Sequence, residues 1–498
     1  MADRPTLRSR APVRTRVVAG ALLPLVLLAS CATNPVTGRP EIVLMSESQE
    51  IAMGKEAAPE IAAAMGIYKD DELQRYVESI GMRMASSSER PQLPWQFRVI
   101  DDSAVNAFAV PGGFVYITRG ILAYMDNEAE LASVVGHEIG HVTARHSVQQ
   151  MTRQQFANIG LGIGMIGLAV IGAGQLGEML GSVVGSGMQL LFLKYSRDDE
   201  TQADDLGFRY MSAAGYAPEE MPKVFHTLYR TTTAEGGARV PEWASTHPAP
   251  ENREGRIQEK IAKLAADRPR GHIERDAYLA KIDGIVYGAD PRAGYFDHAN
   301  VFHHPDLGVR VSFPAGWKGV NQPTAVMAVS PDQDAAVRLT LAKEKTAAAA
   351  ARAFLSQEGI QSGATSAGSL NGLSAVSAGF GAATQQGGIQ GRVAFVEHGG
   401  HVYQLLGLAP QQRFSSYSKI LGSSIASFAR ETDPEVLAVK PWRVDVVKPA
   451  RSLSIQEFAD AYPGPVSPDE LAIVNGVEAP GRYEAGTPYK RVVGQKLP

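Results

Sequence analysis

At 498 residues, 44% hydrophobic and 20% charged, the chain is too long for one core and too apolar to be disordered. Two or three globular domains are expected. Its formal charge is −4, and residues 1–30 hold five arginines and one aspartate, so the body that follows them stands at −8. That acidic body speaks against nucleic acid as a partner, and a single cysteine excludes an intramolecular disulfide.

Residues 1–30 have the form of an export signal, with Arg4, Arg8, Arg10, Arg14 and Arg16 ahead of an apolar run over 17–28. Cys31 follows Leu28-Ala29-Ser30, a pattern that resembles the lipobox of bacterial lipoproteins. The resemblance implies that Cys31 becomes a lipidated first residue. Ala32 stands where an aspartate would favour inner-membrane retention, so an outer-membrane anchor facing the periplasm is expected. Acyl chains supply such an anchor without a membrane-spanning helix.

Residues 41–90 show helical periodicity through Ile51, Met53, Ile61 and Met65, then Leu73, Val77 and Ile80. Residues 97–100 predict a short strand, and residues 107–110 a second, joined through Gly112-Gly113 to a hairpin partner at 114–117. Asn127 with Glu130 three residues on predicts a capping box. The helix it opens carries Leu131, Val134, Val135, Ile139 and Val142 on its apolar face. Residues 159–174 are only apolar or glycine, and a second glycine-rich stretch runs on to Leu193. They are expected to form a mobile helical flap or hairpin beside the active cleft, the alternatives being plain core packing and a membrane-dipping hairpin. Ser196 opens a later helix. Residues 263–299 turn polar and predict a linker. Residues 300–430 alternate strand-like segments (309–313, 336–341, 394–396, 402–405) with helical ones (347–354, 417–428), which predicts an α+β module.

The chemistry concentrates at His137-Glu138-Ile139-Gly140-His141. Two histidines four apart on a helix point the same way and can hold zinc, with a glutamate beside the water that the metal activates. A catalytic zinc takes three protein ligands and leaves one position open. On the Ser196 helix, Glu200 and Asp204 share a face. Glu200 is the expected third ligand, and Asp204 the acceptor that holds the free N–H of a zinc histidine. Ala203 and Gly207 are small enough to let that helix approach another closely. His146, nine residues past His137, is expected to face away from the metal. Substrate is expected to lie along an edge strand at Asn106, Ala107, Phe108 and Ala109, bonded through its backbone.

The blocks NAFAVPGGFVYITRGIL, NEAELASVVGHEIGHVTARH, SRDDETQADDLGFRYMSAAGY and STHPAPENR occur in this order. They resemble the HtpX/CAAX-prenyl-protease-like zinc metallopeptidases, and CATNPVTGRPEIVLMSESQEI is similar to the lead-in of their periplasmic, BepA-like branch. The likeness covers residues 31–262. It implies a mainly helical zincin-like peptidase with a small sheet and one zinc per chain, held by His137, His141 and Glu200. It gives Glu138 as general base and Asp204 as the supporting acid. By the same resemblance His247 is either a regulatory extra ligand or an aid to the transition state; the alternative is a histidine that fixes the loop next to Pro248. Arg253 either pairs with an acid near the site or lies on the surface.

FPAGW at 313–317 resembles the start of PsbP/Mog-type domains, and the pattern over 443–498 resembles a degenerate LysM repeat, which implies either a glycan-binding unit with peptidoglycan as ligand or a small strand-capped domain with no ligand. The expected product is an envelope endopeptidase acting on unfolded or misassembled envelope proteins. Two rivals stand beside it: a quality-control chaperone with a latent site, and a peptidoglycan-binding lipoprotein.

Overall fold

In the computed structural model, residues 31–160, 194–234, 247, 252–265, 269–384, 387–495 and 497 are described. The signal segment and most of the glycine-rich stretch expected as a flap lie outside them. Strands β1 (Cys31–Thr33) and β2 (Pro40–Ile42) pair antiparallel. Helix α1 (Glu47–Met65) starts at a capping box between Ser46 and Gln49. In α2 (Asp71–Ala85), Asp70 caps the first turn and Leu73, Val77, Ile80 and Met84 are buried along one face.

That face packs on a three-stranded sheet. β3 (Gln96–Ile100) runs parallel to β5 (Phe114–Thr118), which pairs antiparallel with β4 (Ala107–Val110), so β4 is an edge. The β4–β5 turn requires its glycines. Gly112 and Gly113 have φ of 89° and 99°, and a Cβ on Gly112 would meet Ile51 Cα at 2.7 Å.

Short α3 (Arg119–Tyr124) leads into α4 (Glu128–Thr143), every residue of which is buried. Asn127 caps α4 by accepting from the Glu130 N–H at 2.9 Å. Glu130 returns the bond one residue early, to the Asp126 N–H at 2.7 Å, and so departs from the expected box. α5 (His146–Gly160), α6 (Arg197–Ala213), α7 (Met221–Ala234) and α8 (Arg253–Ala262) complete the helical region. The break between α4 and α5 falls at Arg145, with φ 61°. Glu50 fixes it. Its buried carboxylate accepts from Arg145 Nε at 2.6 Å and from Arg90 Nη1 at 2.9 Å.

Residues 263–299 are more than a linker. α9 (Arg275–Ile282) buries Tyr278, Leu279 and Ile282 in the same core as Val134 and Ile139, and β6 (Val286–Tyr287) follows. The α+β region begins at β7 (Tyr295–Phe296), β8 (Val301–His304) and β9 (Val309–Ser312). β10 (Lys318–Gln322), β11 (Ala325–Val329) and β12 (Ala336–Leu341) precede α10 (Ala347–Leu355). β13 (Ile360–Leu370), β14 (Leu373–Thr384), β15 (Gly387–His398) and β16 (His401–Pro410) are long, and α11 (Phe414–Ala426) and β17 (Ala429–Arg430) close the unit. A seven-stranded sheet in the order β10-β11-β12-β16-β15-β14-β13 lies beside a four-stranded one, β17-β9-β8-β7. Alternation puts Leu405 in one apolar layer and Leu406 in another.

The tail holds β18 (Trp442–Val447), β19 (Leu453–Ser454), α12 (Ile455–Ala461), α13 (Pro468–Val474), β20 (Arg482–Tyr483) and β21 (Tyr489–Val493). β19 and β20 pair antiparallel around the two helices. Expected as a unit of its own, the tail instead shares the peptidase core. β18 pairs with both β6 and β21, and Leu453, Phe458, Leu471, Tyr483 and Val492 join the apolar cluster of α4. Lys490 is fully buried and donates to the carbonyls of Ala123 at 3.1 Å and Met125 at 2.6 Å. Its Nζ lies 3.1 Å from Asp126 Oδ1. Sequence periodicity names an apolar face but not the surface it meets.

Each large side chain uncovered on losing the tail costs about 1.5–3 kcal/mol. Deletion of residues 443–498 is therefore expected to lower the thermal unfolding midpoint of the helical region sharply. An unchanged midpoint would show the tail to be an appendage.

Candidate metal centre

Burial of all of α4 forces its polar side chains to find partners, and the partners come from α6. The two helices meet through small residues. A Cβ added to Gly136 would lie 3.1 Å from the Gly207 carbonyl, and one on Gly140 would lie 3.0 Å from the Ala203 carbonyl. From the other side, a Cβ on Gly207 would meet the His137 backbone nitrogen at 2.9 Å. This contact delivers Glu200 and Asp204, both 0% exposed, to the histidines of α4.

The Nε2 atoms of His137 and His141 are 3.0 Å apart. Glu200 places Oε2 at 3.5 Å from the first and Oε1 at 3.5 Å from the second. His247 joins them, with Nδ1 2.9 Å from Glu200 Oε1 and 3.3 Å from His137 Nε2. One ligand atom from each of these four buried residues lies within 4.8 Å of the others. The donor set fits zinc on two further counts. Two facing imidazole nitrogens can share only one hydrogen, and buried Glu200 Oε2 has no hydrogen-bond partner. Nitrogen and carboxylate donors are those zinc takes.

Glu138 is buried beside the cluster, its Oε1 3.7 Å from His247 Nε2 and itself without a hydrogen bond. Asp204 Oδ1 lies 3.0 Å from His137 Nδ1. Asp204 Oδ2 accepts from Arg253 Nε at 2.9 Å, so Arg253 is a buried partner and not a surface group. The Arg253 guanidinium also sits 4.3 Å above the centre of the Phe225 ring.

The protein groups alone set a steep electrostatic pattern. Burial pushes the Glu138 carboxyl up, against the pull of His247 and His137. Burial also opposes ionisation of Glu200, but His247 and His137 outweigh it and hold that carboxyl well below the usual range. For Asp204, burial is overcome by Arg253 and His137. Burial works against a proton on His137, yet the bond to Asp204 and the negative charge of nearby Glu200 lift it to about 9. A metal ion and that proton compete for one lone pair.

His146 corrects the helical-wheel expectation. The chain leaves α4 at Arg145, and His146 returns to place its Nδ1 3.0 Å from His141 Nδ1. It stands behind His141, outside the four-residue cluster. Tyr195, which no motif singled out, stacks on His141 at 4.0 Å between ring centres and bonds Ser147 through its hydroxyl at 2.9 Å. The edge strand expected to carry substrate is buried from Asn106 through Ala107, Phe108 and Ala109, and it packs against α4. Asn106 Oδ1 has no hydrogen-bond partner there.

A side chain at position 207 must move α6 off α4. Gly207→Val is expected to cost about 1–3 kcal/mol of stability and to weaken zinc retention on chelator titration. Wild-type zinc affinity in that variant would separate the helix contact from the metal centre.

The model of Peptidase family M48 matches residues 71–261. The β-barrel assembly-enhancing protease of Escherichia coli (strain K12) is 30% identical over 255 residues, which are 51% of this chain and 51% of that protein. The chain thus spans about half the length of that relative. The mitochondrial metalloendopeptidase OMA1 of Schizosaccharomyces pombe (strain 972 / ATCC 24843) is 31% identical over 243 residues, 47% of this chain and 67% of that protein. Among solved structures, cyanobacterial PsbP from Synechocystis sp. PCC 6803 aligns with 28% of this chain and 91% of its own, at 15% identity and a TM-score of 0.22. With its motif residues gathered in one buried cluster, and this extent of likeness to OMA1, the chain belongs to peptidase family M48.

Proposed function

We propose that the protein is a zinc-dependent endopeptidase of the bacterial cell envelope that hydrolyses peptide bonds in unfolded or misassembled envelope proteins. One observation carries the reading: His137, His141 and Glu200 converge in a buried cluster with the carboxylate of Glu138 alongside. Zinc held by those three residues would supply a Lewis acid and bring a water molecule toward ionisation near neutral pH.

The chain's own groups divide the remaining work. Glu138 takes the proton from the attacking water and passes it to the leaving amine, as a general base and then a general acid. Burial favours its protonated form, which suits the second task. Asp204 fixes the tautomer of His137 from behind, and Arg253 holds Asp204. Residues 106–109 lie at the sheet edge but are buried, so they would bond an extended substrate through its backbone only once that edge is uncovered; such bonding predicts broad sequence preference.

His247 supports a latent resting state. A catalytic zinc keeps one position open, and His247 adds a fourth donor within reach of the other three. In this reading the closed site opens when His247 withdraws. Should it stay closed, the protein would act by holding clients, as a quality-control chaperone.

Cys31 as a lipid attachment would tether the chain to the outer membrane on its periplasmic side. No helix among the described residues is long and apolar enough to cross a membrane. The Escherichia coli relative is a β-barrel assembly-enhancing protease, which is in keeping with barrel proteins of that membrane as clients. The strand–helix–helix–strand order of residues 453–483 supports a LysM-like reading of the tail, with peptidoglycan as ligand.

Glu138→Gln is expected to keep one zinc per chain while casein cleavage falls by about 10²–10⁴-fold. Undiminished cleavage would remove Glu138 as the base. His247→Ala should raise cleavage above wild type with zinc retained. A fall instead would make His247 a helper of the transition state.

A further inference from the structure

A histidine that ligates zinc through one nitrogen needs its other N–H held, or the ring rotates and the tautomer is undefined. Asp204 does this for His137. Among the described residues no carboxylate does it for His141, whose Nδ1 faces a second imidazole. We infer that His146 is the positioning residue for His141, acting through a neutral hydrogen-bond chain that ends on Gln202; the inference rests on the zinc reading given above.

The hydrogens have one consistent arrangement. His141 Nε2 points into the cluster, 3.0 Å from His137 Nε2 and 3.5 Å from Glu200 Oε1, so a ligating His141 carries its hydrogen on Nδ1. His146 Nδ1, 3.0 Å away, then accepts that hydrogen. The hydrogen of His146 lies on Nε2, where Gln202 Oε1 accepts at 2.9 Å, with Asp199 Oδ1 farther off at 3.9 Å. Reversing the chain would put a hydrogen on His141 Nε2, aimed at His137, and would remove one ligand. Tyr195, stacked on His141, limits rotation of the ring.

Both ends of this relay are fixed by elements already in place. The left-handed turn at Arg145 brings His146 back over His141, and Glu50 and the Met45 carbonyl hold Arg145 there, at 2.6 and 2.7 Å. Gln202 belongs to α6, two residues from Glu200 and two from Asp204. One helix therefore supplies a metal ligand and orients both histidines, His137 through an anion and His141 through neutral groups.

The test uses the full chain carrying His146→Leu or His146→Asn. Zinc affinity is read by chelator competition, the Co(II) absorption spectrum reports ligand geometry, and thermal unfolding is followed without metal. His146→Leu is expected to lose about 10–100-fold in zinc affinity and to shift the Co(II) bands. His146→Asn, whose side-chain carbonyl can accept from His141 Nδ1, should recover most of the affinity. Wild-type affinity in the Leu variant overturns the inference and leaves the zinc reading standing. Equal losses in both variants, each matched by a fall in metal-free stability, overturn it in favour of a packing role. Failure of the wild-type chain to bind zinc overturns the metal reading and this inference together.

Discussion

Two helices can bring a buried carboxylate onto a pair of imidazoles only if their backbones nearly touch. Here Gly136 and Gly140 on α4 lie against Ala203 and Gly207 on α6, with no room for larger side chains. The rest of the centre follows from that approach. Glu200 and Asp204 leave water altogether, and an unpaired buried carboxylate would be too costly to keep. Asp204 is paired by Arg253 and His137, while Glu200 has His247 at 2.9 Å from one oxygen and Arg253 Nη1 at 3.7 Å from the other, which makes no hydrogen bond. Two imidazole nitrogens, a carboxylate and a third imidazole converge on one point, the donor types zinc takes, which is why the set is better understood as a metal centre than as a structural ion-pair network.

The centre is held from both ends of α4. At its C-terminal end, Glu50 links Arg90 and Arg145, and Arg90 also donates to the Val142 carbonyl at 3.0 Å. At its N-terminal end, Lys490 reaches in from the last strand to the carbonyls of Ala123 and Met125 and to Asp126, and Glu130 bonds back to Asp126. Burial pushes the Glu130 carboxyl up, with Asp126 adding to it. Both anchors come from segments far from residue 137 in sequence. A metal site precise enough for chemistry needs such support around its ligands, and here the support spans residues 50 to 490.

What the sequence made legible was local. Spacing alone put His137 and His141 on one helix face, and Glu200 and Asp204 on another, because both pairs sit four apart within regular helices. Strands at 107–110 and 336–341 are legible, the first as an unbroken apolar run and the second as a strand-like alternation. His146 was misplaced because a helical wheel assumes an unbroken helix, and Arg145 breaks it. The role of Arg253 stayed open because its partner Asp204 is 49 residues away. The tail appeared separate because its apolar face could not reveal that it packs on α4. In each case the missing information was a long-range contact that no local pattern encodes.

The most direct test is anomalous diffraction at the zinc edge from crystals of the zinc-loaded protein. The account predicts one strong peak about 2.0–2.2 Å from His137 Nε2, His141 Nε2 and a Glu200 oxygen. A peak elsewhere, or none at full zinc loading, would contradict it.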